Sequence, residues 1–160
     1  MDTISHGLWG GMAFGRKNKR LFIVAFLFGA GPDVVAFGWE FVRRILAGSG
    51  WHGPMVESIN SYIFSLYNIT HSLVISVAIL LCGLIVFKSK ALPFAAWPLH
   101  ILFDIPVHST RFFPTPYLWP FATPFFDGIP WVTPWVFFLN WAALIVLLVA
   151  WKVFGNKKVL

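Results

Sequence analysis

The sequence predicts an all-α, polytopic membrane bundle: about four spanning helices, a short N-terminal helix and one interfacial helix, forming a single integral-membrane domain over residues 1–160. Three observations carry that prediction. Hydrophobic residues make up 58% of the chain and charged residues only 11%, with a mean hydropathy of +0.76, more apolar surface than a soluble core of this length can enclose. Short basic clusters such as Arg16-Lys17-Asn18-Lys19-Arg20 and Lys88-Ser89-Lys90 separate the apolar runs, as they flank membrane segments. Proline and aromatic residues crowd into residues 112–134, as expected where a chain lies at headgroup level.

Taken in order, Asp2 or Thr3 caps a short helix reaching Gly15, in which His6 is the only imidazole and Gly7, Gly10 and Gly11 allow another helix to approach closely. The basic cluster follows this segment instead of preceding it, so a cleavable signal peptide is not expected. Residues 21–39 are long enough to span a bilayer, but Gly29-Ala30-Gly31-Pro32 predicts an interrupted helix whose freed backbone groups need partners. Asp33 then stands at the first turn of a restarting helix, where a carboxylate meets the positive end of the helix dipole. Arg43-Arg44 leads into Gly48-Ser49-Gly50-Trp51-His52-Gly53-Pro54, an aqueous or interfacial loop in which His52 is a loop histidine.

Residues 56–67 carry the amphipathic pattern of an interfacial helix. Asn68-Ile69-Thr70 matches a glycosylation acceptor, too short a match to carry weight. His71 opens a span over residues 72–87, and residues 91–105 return across the membrane. After the proline-rich loop, residues 135–151 form a last apolar helix, followed by Lys152, Lys157 and Lys158.

Of the 12 Lys and Arg residues, Arg43, Arg44 and Arg111 fall on one side of this arrangement and all others on the opposite side, which the positive-inside rule makes cytoplasmic together with the C-terminus. Basic residues dispersed between apolar runs do not make a nucleic-acid groove. Cys82 is the only cysteine, so neither a disulfide framework nor a cysteine metal cluster is available; in its apolar run it reads as a packing residue.

Ionisable groups inside membrane sequence are costly and usually functional, which directs attention to Leu99-His100-Ile101-Leu102-Phe103-Asp104-Ile105-Pro106-Val107-His108. Four residues apart on a helix, His100 and Asp104 can aim at one point, and imidazole and carboxylate both ligate zinc or a similar divalent metal. A hydrogen-bonded His-Asp pair is the structural alternative. His108 continues the row only beyond Pro106, where the helix ends or kinks. Counted from the nearest cytoplasmic basic cluster, His6, Asp33, His71, His100 and Asp104 all lie roughly 15 to 25 Å deep, in the outer half of a core of about 30 Å. Matched depth on four segments predicts one shared site.

The order His6, Pro32-Asp33, Thr70-His71-Ser72, His100-x-x-x-Asp104 and Leu118-Trp119-Pro120-Phe121 resembles the YdjM-like membrane-bound metal-dependent hydrolases, small bacterial and archaeal membrane proteins. The match covers roughly residues 1–121. The resemblance implies that His6, Asp33, His71, His100 and Asp104 line a metal-dependent hydrolase site in a prokaryotic inner or plasma membrane. The pattern is also distantly similar to zinc-dependent phospholipase C and its nuclease relatives. Two departures reduce the donor set: Val34-Val35 stand where family members often carry a second acid, and Leu66-Tyr67 where they carry a His-Arg pair. That leaves open a single metal, or loss of catalysis with the fold kept.

The expected function is therefore hydrolysis of a phosphoester or ester in a lipid or lipid-linked substrate, with a divalent metal, zinc first, as cofactor and membrane lipids as partners. The metal would lower the pKa of a bound water and polarise the reacting oxygen. Asp33 is the leading candidate for general base or bridging ligand, with Asp104 competing. Arg111 and His108 are the substrate-binding candidates, Arg111 because a guanidinium pairs well with phosphate. Two non-catalytic readings use the same cluster: an ion, proton or metal path through the bundle, or a haem with His6, His71 or His100 as axial ligand.

Overall fold

The computed structural model describes residues 1–48, 60–111, 113–122 and 124–155. Six α-helices succeed one another: α1 (Thr3–Phe14), α2 (Lys19–Leu46), α3 (Ser61–Thr70), α4 (Leu73–Phe87), α5 (Ala96–Asp104) and α6 (Pro134–Gly155). Two 3₁₀ segments, Lys88–Ala95 and Ile105–Val107, flank α5, and there is no strand among the described residues.

Asp2 caps α1 as its position predicts, its side chain accepting the Ser5 amide at 2.9 Å. The glycines of α1 are there for proximity. A Cβ on Gly10 would stand 2.7 Å from the Ala25 carbonyl, and one on Gly29 would stand 2.5 Å from the His6 carbonyl, so α1 and α2 meet backbone to backbone. The buried side of α2 repeats small residues every three or four positions, Ala25, Gly29, Pro32, Ala36, with Asp33 and Glu40 on the same stripe. Glu40 is buried as a charge but engages Arg43 through two bonds (2.8 and 2.6 Å) and Arg44 Nε at 2.7 Å.

The interrupted helix predicted at residues 29–32 does not occur: α2 runs unbroken through Pro32. The ring removes the amide that would serve the Phe28 carbonyl; the Gly29 carbonyl, one residue on, accepts a 2.7 Å hydrogen bond from His100 Nδ1. Asp33 therefore sits in mid-helix and caps nothing.

Three helical stretches are long and apolar enough to cross a membrane: Lys19–Leu46, Leu73–Val107 and Pro134–Phe154. The second contains a reversal. Lys88 takes a positive φ of 54° and ends α4, and the following 3₁₀ segment folds back on it, with Phe94 2.7 Å from where a Gly83 Cβ would lie. That hairpin returns α5 to the level of His71. Cys82, read as a packing residue, lies on the exposed face of α4. Burial within α6 is slight, and large apolar side chains such as Phe138 and Val146 face outward, as on a lipid-facing helix.

The helix expected over residues 56–67 is observed as Ser61–Thr70, with Ile63 and Tyr67 packed against Ala36 and Phe113 and Thr70 also buried. Residues 56–59, His52, Lys157 and Lys158 lie outside the described residues. The proline-rich loop folds back over the α5 terminus: amides of Gly128, Ile129 and Trp131 bond the carbonyls of His108, Pro106 and Val107 at 2.8 to 3.0 Å, and Ser72 Oγ donates to the Trp119 carbonyl at 2.5 Å.

Candidate metal centre

Four elements deliver five side chains to one point: α1 brings His6, α2 brings Asp33, the α3–α4 junction brings His71, and α5 brings His100 and Asp104. Four of these residues, Asp33, His71, His100 and Asp104, each offer one ligand atom, all within 4.8 Å of one another. His71 Nε2 lies 3.4 Å from Asp33 Oδ1 and 3.6 Å from Asp104 Oδ2; His100 Nε2 lies 3.8 and 3.1 Å from the same two oxygens and 3.1 Å from His71 Nε2. Four donors around zinc at 2.0–2.1 Å would be about 3.4 Å apart, the edge of a tetrahedron. The observed separations straddle that value.

Hydrogen bonding on the outer side of each ring determines what faces inward. A carbonyl only accepts, so Gly29 requires the proton of His100 on Nδ1 and leaves a lone pair on Nε2 when the ring is neutral. His71 Nδ1 lies 2.9 Å from Thr70 Oγ1, whose hydroxyl is 3.5 Å from the Tyr67 carbonyl; a hydroxyl turned to that carbonyl accepts from Nδ1 and likewise leaves Nε2 bare. These assignments follow from the available acceptors. Asp104 Oδ2 is buried with no hydrogen-bond donor, although His100 Nε2 is 3.1 Å away, because two lone pairs then confront each other. Two imidazole lone pairs and two carboxylate oxygens at these distances repel unless a cation or protons stand among them. The donor set fits a divalent metal and could hold one.

His6 is in the cluster but not at a vertex. Its ring stacks on His100 with centroids 3.6 Å apart, and its Nε2 lies 2.8 Å from Asp104 Oδ1, the oxygen turned away from the other donors. The Met1 nitrogen lies 2.5 Å from the same oxygen. His108 follows the 3₁₀ turn that Pro106 imposes, in extended conformation; its Nδ1 and the Tyr67 hydroxyl both reach the Phe113 carbonyl at 3.0 Å, and its Nε2 is 3.6 Å from Asp104 Oδ1. Arg111 is exposed on the loop beyond. Beside it, Asp127 Oδ1 accepts from the Thr110 amide (2.8 Å) and hydroxyl (2.9 Å), and those bonds, with the Arg111 charge, hold its carboxyl below the usual range.

Positioning groups went unrecognised in the sequence. Thr3 Oγ1 donates to Asp33 Oδ2 at 2.9 Å, Thr70 holds His71, and Tyr67 stacks on His71 at 3.8 Å. The pair Tyr67 and His71, four apart, and the adjacency of Thr70 to His71 were the available signals. Asp33 alone among the four donors has exposure above 1%, at 8%. The approach to the cluster is therefore from the α1–α2 side. The chain matches no family model, and no curated protein or solved structure is significantly similar to it.

Proposed function

We propose that the protein is a membrane-embedded metal-dependent hydrolase that cleaves a phosphoester or ester bond in a lipid or lipid-linked substrate, with zinc as its divalent ion. The observation that carries this reading is the convergence of four buried donors, with the His71 and His100 nitrogens 3.1 to 3.8 Å from each other and from the two carboxylate oxygens. Asp33, His71, His100 and Asp104 would hold the ion. When bound, such an ion supplies Lewis-acid polarisation of the reacting oxygen and a water acidic enough to ionise near neutral pH.

The chain's own residues divide the remaining work. Asp33 is the donor reached from outside, so its carboxylate is the group placed to take a proton from an incoming water, while Thr3 holds its other oxygen. Asp104 is enclosed by His6, His100 and His108 and serves as ligand. His108 and the exposed Arg111 are candidates for substrate contact, Arg111 with a phosphate. The resemblance to YdjM-like hydrolases rests on the motifs alone and agrees with this assignment. On the same reading the α4–α5 hairpin makes two passes, giving four spans with the C-terminus cytoplasmic in a prokaryotic inner membrane.

Metal analysis of detergent-purified protein, coupled to a screen of phospholipid and phosphodiester hydrolysis, tests the proposal. One tightly held, non-exchanging ion and metal-dependent turnover support it. A freely exchanging ion without turnover turns the reading to an ion path, and a Soret band turns it to haem.

A further inference from the structure

A cavity of about 510 Å³ lies between the start of α1 and the middle of α2, with Asp2, Thr3 and Asp33 as its polar lining and Ile4, Val34, Phe37, Gly38 and Phe41 as the rest. Its volume is that of a site for a small organic ligand, and away from those three residues its walls are apolar. The rim residues Ile4 and Val34 are 58% and 57% exposed. They belong to or lie beside a helix long and apolar enough to cross a membrane, and a rim so placed on a spanning helix faces lipid. Gly38 leaves the floor open: a Cβ there would meet only Val34 Cγ1, at 3.5 Å.

We propose that this groove is the subsite for one hydrocarbon chain of a membrane amphiphile, which enters sideways from the bilayer and brings the bond joining chain to polar head against Asp33. Apolar walls begin at the residue after the carboxylate, Val34, and continue one turn on at Phe37. The part of the ligand next to the reacting bond is therefore hydrocarbon. A water-soluble substrate would have to desolvate its polar groups along the groove, at a cost of several kcal/mol for an unpaired polar group. Asp33, with Thr3 donating to it, is the polar end point. The inference rests on the hydrolase reading for the reaction but not for binding, so the two can fail separately.

The test uses the full chain in vesicles of phosphatidylethanolamine and phosphatidylglycerol carrying a trace of phosphatidylglycerol with a diazirine in one acyl chain. After photolysis, adducts are mapped by peptide mass spectrometry. Labelling at Phe37 and Gly38 is expected to exceed that at Leu81 and Val146, which face outward on α4 and α6, by several-fold. Gly38→Leu, filling the floor, should bring labelling at Phe37 down to the Leu81 level while metal content stays at wild type. Should Gly38→Leu fail to insert, Val34→Trp blocks the rim and is read in the same way. Equal labelling at groove and reference positions, an excess that survives the blocking variant, or a groove crosslinked to a second copy of the chain would overturn the proposal. Groove labelling without turnover on any lipid would defeat the hydrolase reading alone; turnover and bound metal without groove labelling would defeat this one alone.

Discussion

Replacing His100 by alanine removes one vertex of the donor set and separates ligation from structure. The imidazole makes two kinds of contact, Nε2 toward Asp33, Asp104 and His71, and Nδ1–H to the Gly29 carbonyl. Losing the second removes one hydrogen bond to a mid-helix carbonyl, a destabilisation of about 0.5–1.5 kcal/mol, which detergent-solubilised protein should survive. Losing the first should cost more in metal affinity than removal of a supporting residue, which is typically about 10–100-fold. A donor set reduced to three should therefore bind more than ~100-fold more weakly, or about 2.7 kcal/mol. Asp104→Ala should do the same, and Arg111→Ala should retain metal, since a guanidinium offers no lone pair. Metal per protein is measured by mass spectrometry after equilibration with a competing chelator, with helical circular dichroism and elution volume confirming that each variant is folded. Full occupancy in both His100→Ala and Asp104→Ala would refute the assignment and leave a structural His-Asp pair.

Thr3→Ala should weaken metal binding by roughly 10–100-fold while leaving one ion per chain at saturation, and Thr3→Ser should restore affinity, because only the hydroxyl that holds Asp33 is at stake. Gly29→Ala should destabilise the bundle by about 1–3 kcal/mol in thermal unfolding, as its Cβ would meet the His6 carbonyl at 2.5 Å and push α1 from α2; unchanged stability would mean the helices are not in backbone contact. The Thr110 amide should stay protected from hydrogen exchange as pH falls past the ordinary Asp range near about 3.9 and lose protection only below it. The sign follows from Asp127: a carboxyl with a lowered folded-state pKa contributes above its unfolded value and ceases to contribute as pH drops through the folded one. Asp127→Ala should remove that protection at every pH.

Reading the chain without coordinates succeeded where one physical signal dominates. Apolar run length placed the helices, and the three-glycine stretch of α1 announced close packing that Gly10 and Gly29 realise. Depth matching worked for His6, Asp33, His71, His100 and Asp104 because helix rise converts sequence offset into height, and height is half of what a shared site requires. The other half is azimuth, which sequence did not supply: His6 and His71 are at the right level, yet only His71 presents its nitrogen to the four-donor group. Thr3, Thr70 and the Gly29 carbonyl were invisible for the same reason, since their roles depend on which face of a neighbouring helix they oppose. Pro32 signals a break by its ring alone, but a helix can continue through a proline at the loss of one hydrogen bond, as α2 does.

A contact between α2 and α5 bears on the chemistry of the cluster. His100 Nδ1 lies 2.7 Å from the Gly29 carbonyl, a group of α2 that can only accept. Because that bond requires the proton on Nδ1, it also leaves Nε2 bare and aimed at Asp33, Asp104 and His71. One hydrogen bond thus joins α2 to α5 and selects the tautomer that His100 presents to the cluster. Pro32→Ala should leave that bond in place, because the amide it restores finds its acceptor in the Phe28 carbonyl and not in Gly29: thermal stability should rise while metal retention stays at wild type. Weaker metal retention in Pro32→Ala would show that the proline ring, and not the Gly29 bond with the packing of His100 between His6 and His71, orients the imidazole.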